Sequence, residues 1–157
     1  MKLTDIVCFD GIVAQLKSKQ RDGAIGELVG ALAKAKKIPA NSADAITKSV
    51  IKRENEASTG IGKGVAVPHV KHPMVKEPVA VVGCSAEGLD FSSLDKQPVY
   101  SVILLVSPMD NPDKHLQAME TVFRNLQKDD FRRFLRQAQS VEEIREVILD
   151  ADGGGTD

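Results

Sequence analysis

Apolar residues return at two different periods along this chain. In the first third, Ile25, Leu28, Val29 and Leu32 recur at helical spacing after the turn-like Arg21-Asp22-Gly23, which predicts an amphipathic helix. A second helix is predicted behind Ser42 as N-cap, with Ile46, Val50 and Ile51 on one face and Arg53 near its C-terminal end. The polar run from Asn55 to Thr59 ends it. Ahead of both, Ile12-Val13-Ala14-Gln15-Leu16 reads as a short strand.

The middle of the chain changes period. Val65-Ala66-Val67, Val79 to Val82 and Val99 to Val106 are short β-branched runs bounded by Gly and Pro, the pattern of buried strands. In the last third the helical period comes back. Leu116, Met119, Val122, Phe123 and Leu126 form one stripe, opened by Asn111 as N-cap with Pro112 at the first helical position. A further helix begins near Asp129 and should carry Phe131, Phe134 and Leu135 inward. The last one follows Ser140 with Glu143 three residues on, ahead of Ile144, Val147 and Ile148. Strands and helices interspersed in this way predict a single layered α/β domain over residues 1–150, with 151–157, ending Gly153-Gly154-Gly155-Thr156-Asp157, as a disordered tail.

Composition narrows the function classes. At 157 residues with 42% hydrophobic content, the chain has material for one core. Its 21 Lys and Arg against 22 Asp and Glu are spread along the helices rather than gathered in a basic stripe, which argues against nucleic acid as the partner. The longest apolar runs are far too short to insert in a membrane, and Met1-Lys2-Leu3-Thr4-Asp5 lacks the apolar core of a signal peptide, so a cytoplasmic protein is expected. Cys8 and Cys84 fit no redox or metal-ligand spacing and are expected as reduced, packed thiols. Of three histidines, no pair has the i, i+4 spacing that sets two metal ligands on one helix face, so neither metal nor cofactor is expected. His72, between Lys71 and Pro73, is expected in a surface loop.

The chemistry concentrates in Ser58-Thr59-Gly60-Ile61-Gly62-Lys63-Gly64-Val65-Ala66-Val67-Pro68-His69. Alternating glycines lead into a short strand, and Pro68 stops it, holding Val67 extended and setting His69 just past the strand end. Neither common phosphate-loop pattern applies, because both need a helix after the glycines and here a strand follows. The glycines alone are compatible with a tight backbone path and nothing more.

Arg53-Glu54, Ser58 to Gly62 and Gly64 to His69, followed by Val75-Lys76-Glu77-Pro78-Val79, Leu89-Asp90-Phe91, Asp95-Lys96-Gln97-Pro98-Val99 and His115-Leu116, run in the order and at about the spacing of one family. The chain resembles, over nearly its whole length, the type-2 enzyme IIA domains of the bacterial phosphoenolpyruvate-dependent phosphotransferase system, the fructose, mannitol and nitrogen-regulatory group. Two positions depart from that pattern: Val70 stands where a small residue usually follows the histidine, and Lys63 where Asn is common.

The resemblance implies a central mixed β-sheet flanked by helices and a phosphotransferase that relays a phosphoryl group on Nε2 of His69. It also implies His115 as a hydrogen-bond donor to the phosphoryl oxygens and Arg53 as its lasting positive charge. Thr59, Gly60, Gly62 and Gly64 are implied as support of the phosphate site. The implied donor is the phosphocarrier protein HPr or its nitrogen-branch counterpart. The implied acceptor is an enzyme IIB in sugar transport, or a regulatory protein target in nitrogen regulation. Ala138 to Glu143 looks closest to the nitrogen-regulatory branch, and no IIB or membrane segment is attached, which favours regulation. A nucleotide-binding module using Gly60 to Gly64 is a third reading; it predicts ATP affinity that outlives loss of His69.

Overall fold

In a computed structural model, described over residues 1–154, the chain runs α1 (Leu3–Ile6), α2 (Arg21–Lys34), α3 (Ala43–Glu56), β1 (Gly60–Gly62), β2 (Val65–Ala66), β3 (His69–His72), β4 (Val79–Leu89), β5 (Val99–Pro108), α4 (Pro112–Leu126), α5 (Asp129–Gln137) and α6 (Val141–Gly154). The sheet is built around β5. One edge of β5 takes β4 antiparallel, from Val79 opposite Val106 to Cys84 opposite Ser101. The other edge takes β2 and then β3, both parallel and in one register, Val65 with Ser101 and His69 with Leu105. β2 and β3 are therefore one strand broken at Val67-Pro68. β1 folds back antiparallel on β2 to complete a mixed sheet.

β4 and β5 are apolar at nearly every position because both faces are covered. Val79, Val81, Val102, Leu104 and Val106 pack with Ile25, Leu28, Leu32, Ile46 and Val50 of α2 and α3. Ala80, Val82, Ile103 and Leu105 face the other way, onto Leu3, Ala118, Val122, Leu135, Ile144 and Ile148 from α1, α4, α5 and α6. At roughly 1.5–3 kcal/mol for each large side chain removed from water, these two layers dominate the stability of the sheet.

Several expectations change. Residues 12–16 do not form a strand: a 3-10 turn at Phe9–Gly11 bends the chain, and only Val13 makes a bridge, to Gly83 on the outer edge of β4. Ser42 caps α3 by position alone, since its side chain makes no cap hydrogen bond and it already lies in a 3-10 turn. On α5, Phe131 and Leu135 are buried but Phe134 is 48% exposed, because a nine-residue helix lying on the sheet's helical layer shows one of its three apolar positions to solvent. Leu116 is likewise exposed, one residue past the stripe that faces the sheet. His72 closes β3 rather than sitting in a loop, and its Nδ1 accepts from Met74 N–H at 3.1 Å.

The expected disordered tail is helical as far as it is described, with α6 continuing through Gly154 and only 155–157 outside the described residues. The reason is a contact from the far end of the chain: the Asp152 carboxylate accepts from the N–H groups of Leu3 and Thr4, at 3.0 and 2.8 Å. That satisfies two open donors of α1 and ties both termini together. Asn111 caps α4 as its sequence predicts, accepting from Lys114 N–H at 3.2 Å with Pro112 next in line. Cys8 and Cys84 are both buried and unbridged.

Candidate functional site

Breaking a strand with proline has a local effect on hydrogen bonding. Pro68 keeps its carbonyl in the ladder, accepting from Leu105 N–H at 2.9 Å, while the carbonyl of Val67 turns to its own chain. Nδ1 of His69 lies 2.7 Å from that carbonyl oxygen. A carbonyl can only accept, so the proton of the neutral ring sits on Nδ1 and the lone pair is left on Nε2. His69 resumes the interrupted strand on the α4 side, since Val70 packs into the opposite layer.

α4 brings the second histidine. His115 sits one turn into the helix, its N–H bonded to the carbonyl of Asn111, and its ring centroid lies 5.8 Å from that of His69 with the planes tilted by 38°. The neighbouring Lys114 reaches Glu77, in the loop between β3 and β4, at 2.7 Å to both oxygens, which holds the start of α4 against that loop. Burial holds both imidazoles below the ordinary value of 6.5. For His69 the Val67 hydrogen bond and Glu54 oppose that shift and Arg53 adds to it. For His115 the charge of His69 and that of Lys71 add to it. Both rings are thus biased to the neutral form near neutral pH.

Arg53 occupies the last turn of α3, its guanidinium donating to the Ala57 carbonyl at 2.8 Å, and its charge acts on His69. Next to it stands a group that sequence reasoning did not single out. Glu54 is 3% exposed, and its carboxylate accepts from both the N–H and the hydroxyl of Thr59. The signal was present: Glu54 continues the buried stripe Ile46, Val50 at i, i+4 spacing, where a carboxylate needs a specific partner. Thr59 in turn accepts from Val67 N–H at 3.2 Å through its carbonyl. A chain of contacts therefore runs from α3 through Thr59 to the backbone that carries His69.

The glycines divide into two groups. Gly60 adjoins Thr59 and lies so close to Ser93 that a Cβ would meet its hydroxyl at 2.2 Å. Gly62 and Gly64, with φ of +96° and +81°, form the tip of the β1–β2 hairpin, latched by Asp95 accepting from Lys63 N–H at 2.9 Å. That tip is at the far end of β2, about 13 Å of strand from His69. The structure sets the rings of His69 and His115 side by side and brings the charge of Arg53 to bear on His69, while Thr59 and Gly60 adjoin the backbone of Val67 and Ala66 that leads to it; Gly62 and Gly64 shape the turn. Val67, through its carbonyl, and Lys71 join the site as additions. The Val67 contact depends on a backbone direction that no residue type announces.

No helix among the described residues is long and apolar enough to cross a membrane. The model of the family described as "Phosphoenolpyruvate-dependent sugar phosphotransferase system, EIIA 2" matches residues 9–151. The fructose-specific EIIABC component of Bacillus subtilis is 33% identical over 97% of this chain, which spans 24% of that longer protein. A nitrogen regulatory protein of Bradyrhizobium diazoefficiens is 31% identical over 94% of this chain and 95% of its own length. Among solved structures, the nitrogen regulatory protein IIA-Ntr of Neisseria meningitidis has the same fold, with a TM-score of 0.81 at 24% identity over 92% of this chain and 97% of that one. With a family match that takes in both strands of the broken edge and both histidines, the chain belongs to the type-2 EIIA family of the phosphotransferase system, whose members are phosphocarriers.

Proposed function

We propose that this chain takes a phosphoryl group onto Nε2 of His69 from an HPr-like phosphocarrier protein, and that it works chiefly as a regulatory phosphocarrier. The observation that carries the assignment is the Nδ1 contact to the Val67 carbonyl, which leaves Nε2 as the nucleophile. In the transfer, the Nε2 lone pair forms the new N–P bond while the bond from phosphorus to the donor's imidazole breaks, and the electron pair leaves with that imidazole. No proton has to leave Nε2. The proton on Nδ1 stays against the Val67 carbonyl, which stabilises the positive ring and keeps it a good leaving group for the next transfer. Arg53 offsets the negative charge of the phosphoryl oxygens, and His115 donates to one of them.

A second reading is sugar uptake, with an enzyme IIB as acceptor. Fructose-specific relatives at 33% and 31% identity favour it, and the mannitol IIA of Escherichia coli, of the same fold, was solved in complex with phosphorylated IIB. The test begins with labelled phospho-HPr: the chain should acquire label that is stable in alkali and labile in acid. Full labelling of His69→Ala would refute the acceptor assignment. Chasing the label with fructose- and mannitol-type enzyme IIB separates the readings, since rapid loss to IIB supports uptake.

A further inference from the structure

Three buried side-chain atoms among the described residues have no hydrogen-bond partner, the hydroxyl oxygens of Ser93 and Ser107 and Nδ1 of His115, and the last two belong to the elements facing each other beside His69. Leaving a buried hydroxyl unpaired costs about 1–3 kcal/mol, so two such atoms on one face call for a common explanation. Ser107 is wholly buried and stands two residues beyond Leu105 on β5, which places it on the α4-facing side of the sheet. β5 ends at Pro108, and α4 begins at Pro112 and runs back over that side. His115 precedes Ala118 and Val122 by three and seven positions, and those two residues pack with Leu105 and Ile103.

The two elements keep pace. Two residues of strand cover about 6.6 Å, and three to four residues of helix about 4.5–6 Å. Ser107 therefore lies further toward the start of α4 than Leu105 does, at the end of the helix where His115 stands. Lys71, paired with Ser107 across the ladder, is also the residue whose charge reaches His115.

We propose that Ser107 is a positioning residue: its hydroxyl, unpaired in the structure, turns about the Cα–Cβ bond to donate a hydrogen bond to Nδ1 of His115 and so keeps the proton of that neutral ring on Nε2, ready for a phosphoryl oxygen on His69. A hydroxyl can serve Nδ1 as donor or as acceptor. The phosphoryl oxygens only accept, and they require a proton on Nε2, which makes Ser107 the donor. The inference rests on the reading of His115 given above, and the first of its tests does not need phosphate.

Long-range proton–nitrogen spectra of the histidine-labelled protein at pH 7.5 should show Nδ1 of His115 unprotonated and hydrogen-bonded. In Ser107→Ala that nitrogen resonance should move downfield to the position of an unbonded ring nitrogen; an unmoved resonance overturns the proposal. Transfer from phospho-HPr should slow about fivefold in Ser107→Ala, the worth of one hydrogen bond. It should slow no further when Ser107→Ala is added to His115→Ala, and an equal loss in both backgrounds would show that Ser107 acts without the histidine. If His115→Ala transfers at the wild-type rate while Ser107→Ala still moves the nitrogen resonance, the phosphoryl role of His115 fails and the Ser107 contact stands.

Discussion

Uptake of the phosphoryl group should follow the neutral fraction of His69, because only the neutral ring has a free lone pair on Nε2. An imidazole at the ordinary value of 6.5 would be about 24% neutral at pH 6 and about 76% at pH 7. Burial, aided by Arg53 against the Val67 and Glu54 contributions, sets His69 below that value. The advantage is therefore bounded at about 1.3-fold at pH 7 and about fourfold at pH 6, so the effect has to be sought on the acid side. The assay is rapid-quench transfer from pre-phosphorylated HPr between pH 5.5 and 8, with a proton NMR titration of the His69 ring to place the midpoint independently. The midpoint should fall below 6.5, and the rate at pH 6 should exceed 24% of its plateau. Arg53→Gln should move the midpoint up and Glu54→Gln should move it down. A midpoint at or above 6.5, or a downward move in Arg53→Gln, would refute the electrostatic account of the site.

The same shifts tie stability to pH. With His69 and His115 both lowered, the unfolded chain binds more protons than the folded one near pH 6, so stability falls as pH drops through 6.5; thermal melts at pH 7.5 and 5.5 should show this, and the His69→Gln, His115→Gln double variant should flatten the slope. Glu54→Gln leaves one of two Thr59 donors facing an amide NH2, with an expected loss of about 1.5–3 kcal/mol, read as a melting point lower by roughly 3–12 °C; an unchanged melting point would mean the buried carboxylate is not anchoring the loop. Asp152→Ala removes both bonds to α1 and should lower stability by about 1–2 kcal/mol, seen in a urea midpoint shifted at constant slope. His115→Ala should slow phosphoryl transfer without abolishing it, and wild-type kinetics would make the second histidine a bystander.

Much of this arrangement was legible from residue pattern alone. The stripe Ile25, Leu28, Val29, Leu32 and the Asn111-Pro112 start of α4 are local signals; the first gave a helix with the expected buried face, and the second gave the helix start, although of its stripe only Val122 and Leu126 are fully buried. β4 and β5 were legible as buried strands because a strand covered on both sides has no polar positions to alternate. What escaped was long-range. β1 and β3 are short polar or glycine-bearing segments that exist as strands only because a neighbour supplies a ladder for each, β2 for β1 and β5 for β3. Ile12 to Leu16 has the right residues for a strand, yet its pairing is cut to one bridge by the turn before it. The helical end of α6 depends on a contact between positions 149 residues apart, which no local window contains. At the site, the histidines and the arginine carried their chemistry in their residue types, whereas the Ser107 hydroxyl and the Val67 carbonyl become relevant only once the sheet register is known.

The interrupted strand has a regiochemical consequence. Imidazole offers phosphorus two nitrogens, and either phosphohistidine isomer is chemically accessible. On the function proposed above the choice belongs to the main chain: the Val67 carbonyl, which faces away from β5, occupies Nδ1 and directs phosphorus to the other nitrogen. A substitution that drew the Val67 carbonyl away from the ring would free Nδ1 and let the product become a mixture, a change visible in the phosphorus spectrum even where the total label is the same.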